Sequence, residues 1–282
     1  MFQSVNNFLR AVLIVAVLAV TWNFPLKQIK PQAVGSVESL VPENVEIPIR
    51  WGDLGMRLTE TGVIDSQKFA ALYEKRGGLP QEISQLLTTN YKGKIVINQS
   101  NSHFYLNLLW AFGLSNKNSI LENGPMTDQK YGGADRFAST GGWTLASGKS
   151  MDHYSKHNFV TLTEKQQKLV EEISKNIYRP CCNNSTYFPD CNHGMAMLGL
   201  LELMAANNLS ESKMYQIALK VNALWFPSTY ETISRYLAAK SISLNEVGAK
   251  ELLGNNYSSG SGYRKILQEV EPATGGGSSC GI

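Results

Sequence analysis

Charge is scarce in this sequence: Asp, Glu, Lys and Arg make up 17% of its 282 residues, against 43% hydrophobic. The two signs nearly balance, at a formal net charge of +3, and no Lys/Arg run exceeds two residues. Nucleic acid is therefore not an expected partner, since phosphate contacts need clustered positive charge. Long apolar runs are equally few; the one that stands out is AVLIVAVLAV, residues 11–20. With a mean hydropathy of −0.18 the chain is not a polytopic membrane protein. Its hydrophobic share excludes a disordered chain. Cysteine and histidine are rare, four of each, so where they cluster carries information. The haem-attachment motif C-x-x-C-H and the paired C-x2–4-C spacing of zinc fingers are both absent.

The apolar run predicts a signal anchor over residues 1–24. Arg10 supplies the cytoplasmic positive flank, Trp22 and Phe24 the interfacial aromatics, and Lys27 and Lys30 follow. The run is shorter than the roughly 20 residues of a full span, which suits a cleaved signal peptide. No small-x-small cleavage site follows it, so an uncleaved anchor with the domain outside the cytoplasm is expected, a secreted chain being the alternative. The membrane is the only partner this reading implies. Residues 25–50 carry Pro25, Pro31, Pro42 and Pro48 without a helical period, which predicts an extended stalk.

Residues 51–270 predict a mainly α fold, a single helical domain with at most one minor β element near 94–99. Asp65 is placed to cap a helix over FAALYEKR that Gly77 and Gly78 stop. Pro80 opens PQEISQLLTT, and Ser102 opens HFYLNLLWAF, with Gly113 read as its end. Thr163–Gln166, Ser228–Glu231 and Ser243–Glu246 read as capping boxes. Residues 271–282 form a Gly-rich tail with Cys280.

The chemistry concentrates in RPCCNNSTYFPDCNHGMAMLGLLELM, residues 179–204. Cys181, Cys182 and Cys191 offer thiolates and His193 an imidazole, ligands preferred by Zn or Cu(I). Adjacent cysteines are poor co-ligands for one tetrahedral ion, which argues against a plain zinc site. In an oxidising compartment the four cysteines instead predict disulfides. Cys181 or Cys182 with Cys191 closes a short loop, contributing about 2–3 kcal/mol, and the other with Cys280 closes about 100 residues, contributing about 4–5 kcal/mol. His153 and His157, four apart in SMDHYSKH, share a face if helical and form a second imidazole pair, with Asp152 as ligand or supporting carboxylate. The helix after His193 is apolar all round except Glu202, so it is expected to be buried. Met195, Met197 and Met204 then read as core rather than copper ligands. An ionised Glu202 there needs a partner, for which Arg179, Arg235 or a bound ion are candidates.

The Gly-rich stretch 114–150 lacks periodic apolar residues and reads as an ordered loop shaping a surface or cleft. Gly148-Lys149-Ser150 matches the end of a phosphate-binding loop, but Gly142 is one residue out of place and no strand leads in. Within YGGADRFASTGGWTLASGKS there is neither G-x-S-x-G nor S-x-x-K, and no base pairs with Ser139, Thr140 or Ser147.

Over residues 178–225, cysteines followed by the helix of SESKMYQIAL resemble the thiol reductases of cytochrome c maturation. Those carry C-x-x-C followed by helices and a membrane anchor. Cys181 and Cys182 have no two-residue spacer, so that activity is not carried over. The leading expectation is a cell-envelope protein binding Zn or Cu through Cys181, Cys182, Cys191 and His193, helped by His153 and His157. The alternatives are a disulfide-stapled, non-catalytic ectodomain and an envelope thiol oxidoreductase.

Overall fold

Alternation of apolar and polar residues in NVEI and IVIN builds the one sheet among the described residues, 38–271 of the computed structural model. Strand β1 (Asn44–Ile47) pairs antiparallel with β2 (Ile95–Asn98), with Asn44 opposite Asn98 and Ile47 opposite Ile95. Val45, Ile47, Ile95 and Ile97 point to the core. The segment read as a stalk is thus part of the domain from Glu38 onward: Ile49 and Trp51 are buried too, and the Trp51 indole donates to Leu86 O at 2.9 Å. The prolines had masked a four-residue strand.

Thirteen α-helical segments, with four single 3-10 turns between residues 125 and 152, make up most of the rest of the described residues. They run α1 (Leu54–Glu60), α2 (Ser66–Glu74), α3 (Gln81–Thr88), α4 (Ser102–Ser115) and α5 (Ser119–Asn123). Then follow α6 (Glu164–Asn176), α7 (Asn192–Ala206), α8 (Glu211–Trp225) and α9 (Pro227–Ala239). Short turns α10 (Leu244–Val247), α11 (Ala249–Leu252) and α12 (Asn255–Ser258) lead into α13 (Gly260–Val270). Several predicted caps form: Asp65 accepts from the Gln67 and Lys68 amides, and Thr163 with Gln166 makes a reciprocal box. Ser228 does not cap, because Pro227 already opens α9 and places Ser228 within its first turn.

Helix α7 is the centre of the fold, with α4, α6 and α8 packed around it. The residues from Gly194 to Ala205 are all buried, as expected of a helix with no polar stripe. Gly113 does not end α4. A Cβ there would lie 2.2 Å from Met195 O, and one on Gly199 would lie 2.6 Å from Leu109 O. The two glycines let the backbones of α4 and α7 touch. No helix among the described residues is long and apolar enough to cross a membrane; the anchor predicted over residues 1–24 and the tail with Cys280 lie outside those residues.

Candidate functional site

The loop from Ile177 to Cys191 joins α6 to α7, and its backbone is fixed at both ends. Tyr178 N–H donates to Leu253 O (2.8 Å), Thr186 N–H to Ile177 O (2.8 Å) and Tyr187 N–H to Ser174 O (3.0 Å). Residues 179–182 make a tight turn, closed by Cys182 N–H to Arg179 O at 3.2 Å. The first turn of α13 covers it: Gly260 N–H donates to Cys182 O (2.8 Å) and Ser261 N–H to the Asn183 side chain (2.8 Å).

That turn overcomes the objection to adjacent cysteines. In an extended chain neighbouring side chains point to opposite faces; in the turn both thiols converge on Cys191. The Cys181 sulfur lies 3.6 Å and the Cys182 sulfur 4.0 Å from the Cys191 sulfur, and all three lie within 4.8 Å of one another. Cys181 is exposed, the other two half-buried. The expected Cys191 disulfide is not formed, since a bond needs about 2.05 Å; all three are free thiols.

Arg179 organises the site, although its sequence position suggested only a partner for Glu202. Its side chain is 1% exposed. Nε donates to Cys191 Sγ (3.1 Å), Nη1 to Asn184 O (2.9 Å), and Nη2 to Phe188 O (3.1 Å) and Asp190 Oδ1 (2.7 Å). Gly194 makes room, as a Cβ there would stand 2.5 Å from the guanidinium carbon. Cys191 is also the N-cap of α7 and accepts from Gly194 N–H at 3.4 Å. The neighbouring thiols of Cys181 and Cys182, with the Arg179 guanidinium, pull the Cys191 pKa far below the usual thiol value against the opposing effect of burial. Cys182 is pushed up to about 11, Cys191 and burial outweighing the opposing pull of Cys181 and Arg179. The Cys181 thiol is also raised, by hydrogen bonding to Cys182 and Cys191. The signal in the sequence was the charged pair beside the cysteines, Arg179 two residues before Cys181 and Asp190 immediately before Cys191.

The Gly-rich stretch forms a wall beside this loop. Ser139 N–H donates to Asp190 O (3.1 Å), and Tyr131, Phe137 and Phe188 pack ring on ring at 5.1–5.5 Å.

No imidazole nitrogen joins the three sulfurs within 4.8 Å of one another, although His193 is close enough to Cys191 and Arg179 to feel their charges. His193 packs its ring 4.4 Å from that of Phe226 and 5.8 Å from that of Trp225, with Nδ1 unpartnered. Burial pushes its pKa down to about 4. His153 and His157 do meet each other, Nδ1 to Nε2 at 3.1 Å, through a 3-10 turn rather than an α-helix. A carbonyl only accepts, so His153 Nε2 donates to Ser147 O (3.1 Å); in a neutral ring its Nδ1 then accepts from His157. Asp152 accepts locally from Lys149 N–H (3.2 Å). His157 pairs with Asn116 at the end of α4, and Asn116 bonds Glu202, three turns or about 16 Å along α7 from Cys191.

Glu202 has no arginine partner: Arg235 pairs with Glu271 (3.0 Å) and Arg179 is engaged at the thiols. Glu202 Oε2 accepts from Asn116 Nδ2 at 2.5 Å, and Oε1 has no partner. Complete burial raises its pKa to about 8, a shift that favours the neutral carboxyl, which needs no counter-charge. No family model matches this chain, and no curated protein and no solved structure matches it.

Proposed function

We propose that this chain is a metal-binding protein of the cell envelope that holds one Zn or Cu(I) ion on Cys181, Cys182 and Cys191. The observation that carries the reading is the sulfur spacing. Thiolates bound at about 2.3 Å around a tetrahedral or trigonal ion stand about 3.8–4.0 Å apart, against 3.6 and 4.0 Å here. Arg179 and Asp190 supply the supporting hydrogen bonds, and such outer partners tune affinity in metal sites. Three protein ligands leave one coordination position for an exogenous group. The envelope location rests on Arg10 and the apolar run 11–20.

The test is reconstitution of the reduced full chain with Zn2+, Co2+ or Cu(I) without oxygen, followed by desalting and elemental analysis. One retained ion per chain is expected, with a sulfur-to-cobalt charge-transfer band for Co2+, and both are lost in Cys191→Ser. Wild-type protein that retains no ion after desalting overturns the proposal.

A further inference from the structure

The thiol site has a second property that a closed metal site does not need: one of its sulfurs is exposed, and it stands at the shortest distance from the sulfur that receives the most hydrogen bonds. Cys181 Sγ is 3.6 Å from Cys191 Sγ, which accepts from Arg179 Nε (3.1 Å) and Gly194 N–H (3.4 Å). Cys182 is further away, at 4.0 Å, and its carbonyl is tied to the first turn of α13 through Gly260 N–H at 2.8 Å. Closing the gap from Cys181 to Cys191 needs a movement of about 1.5 Å to reach bonding distance. No backbone hydrogen bond holds the Cys181 amide or carbonyl against that movement.

We propose that Cys181 and Cys191 form a reversible disulfide that gates the site, so that a peroxide releases the bound ion and a thiol reductant restores it. The steps balance. The Cys191 sulfur attacks one peroxide oxygen, the O–O bond breaks, and the leaving oxygen departs as hydroxide or alkoxide. Cys191 becomes a sulfenic acid. The Cys181 thiol then attacks the Cys191 sulfur, the S–O bond breaks, and the thiol proton leaves with the hydroxyl as water. The two sulfurs lose two electrons in total and the peroxide gains them.

The same contacts decide between a switch and a permanent staple. Arg179 is buried, and its compensating partners are Asp190 and the Cys191 sulfur. A disulfide sulfur is a poorer hydrogen-bond acceptor than the reduced sulfur, so oxidation weakens the bond from Arg179 Nε (3.1 Å) and leaves Asp190 as its strong partner. Interactions that favour the reduced sulfur over the disulfide make the couple more oxidising, hence easily reduced. A stapling disulfide needs the opposite bias.

The gate rests on the metal reading only for its consequence, so the two are tested separately. Metal-free, reduced full-length protein is treated with one equivalent of hydrogen peroxide, then thiol-counted and peptide-mapped. Loss of two thiols with a Cys181–Cys191 crosslink, reversed by glutathione, is expected. Cys181→Ser should instead give a dimedone-reactive Cys191. A crosslink to Cys182 or Cys280, sulfinic acid in place of any crosslink, or a crosslink that glutathione cannot reduce overturns the gate. In the Zn-loaded protein the same treatment should release the ion stoichiometrically; full retention also overturns it. A protein that forms the crosslink but never binds an ion defeats the metal reading alone.

Discussion

Glu202 and Arg179 are both fully buried ionisable residues, and they resolve that burial in opposite ways. Arg179 keeps its charge because four hydrogen-bond acceptors surround it, one a carboxylate and one the Cys191 sulfur. Removing it as Arg179→Ala strips the guanidinium donors from Cys191 Sγ, Asn184 O, Phe188 O and Asp190 Oδ1, while Asp190 Oδ2 keeps Asn184 Nδ2 (2.7 Å) and Phe188 O keeps the Asp190 N–H (2.9 Å). We expect a loss of about 3–5 kcal/mol, as for other broken buried pairs, read by urea unfolding of the metal-free protein. A change under about 1 kcal/mol would show that the loop does not depend on the guanidinium. Glu202 gives up its charge instead. Its pKa rises from 4.5 to about 8 in the fold. Below the unfolded value both states are protonated and the residue carries no penalty. As pH rises toward the folded value, only the unfolded state releases the proton, and stability falls by up to about 1.4 kcal/mol per unit. Above that value the loss levels off. The wild type should therefore lose stability between about pH 5 and 8 relative to Glu202→Gln. Parallel melting-temperature curves for the two proteins over that range would show that Glu202 does not titrate in this way.

At the scale of elements, most helices were legible because their starts are local chemistry: Asp65, Thr163 and Ser210 each cap a helix within three residues of themselves. What stayed hidden depends on distant partners. Gly113 reads as a stop in isolation, and only the approach of Gly199 on α7 shows why a helix tolerates it. Strand β1 was missed for a different reason. Val45, Ile47 and Ile49 alternate visibly, but Pro42 and Pro48 bracket the run and β2 lies about fifty residues away. At the site the thiols were legible as residue types, while their convergence was not, because it depends on the turn at Arg179–Cys182. The glycine contact gives its own prediction. Gly113→Ala improves helix propensity by about 1 kcal/mol, yet its methyl would meet the Met195 carbonyl at 2.2 Å. Backbone on both sides leaves nothing flexible to yield, so the steric term wins. A net loss of about 1–3 kcal/mol is expected by chemical unfolding; a more stable variant would mean that α4 and α7 part without penalty.

In the molecule as a whole, the thiols lie at the edge of the fold and not within its core. Cys181 and Cys191 are ten residues apart on one loop, so an ion between them would tie α7 to its own lead-in rather than to another part of the chain. The core around α4 and α7 is complete without it. Ligand binding still stabilises the native state by mass action, about 2.7 kcal/mol at a hundredfold excess over the dissociation constant. The local placement sets where that protection appears. Loop 177–191 and the first turn of α13 are joined through Gly260 N–H to Cys182 O and Ser261 N–H to Asn183, so we expect them to open as one unit without global unfolding. Hydrogen exchange of the zinc-loaded protein should slow there and stay unchanged in the interior of α4. Cys191→Ser should show no such difference with and without zinc. Uniform protection along the chain would mean that the metal-free domain opens only as a whole, and protection absent from residues 177–191 would remove the ion from the three thiols.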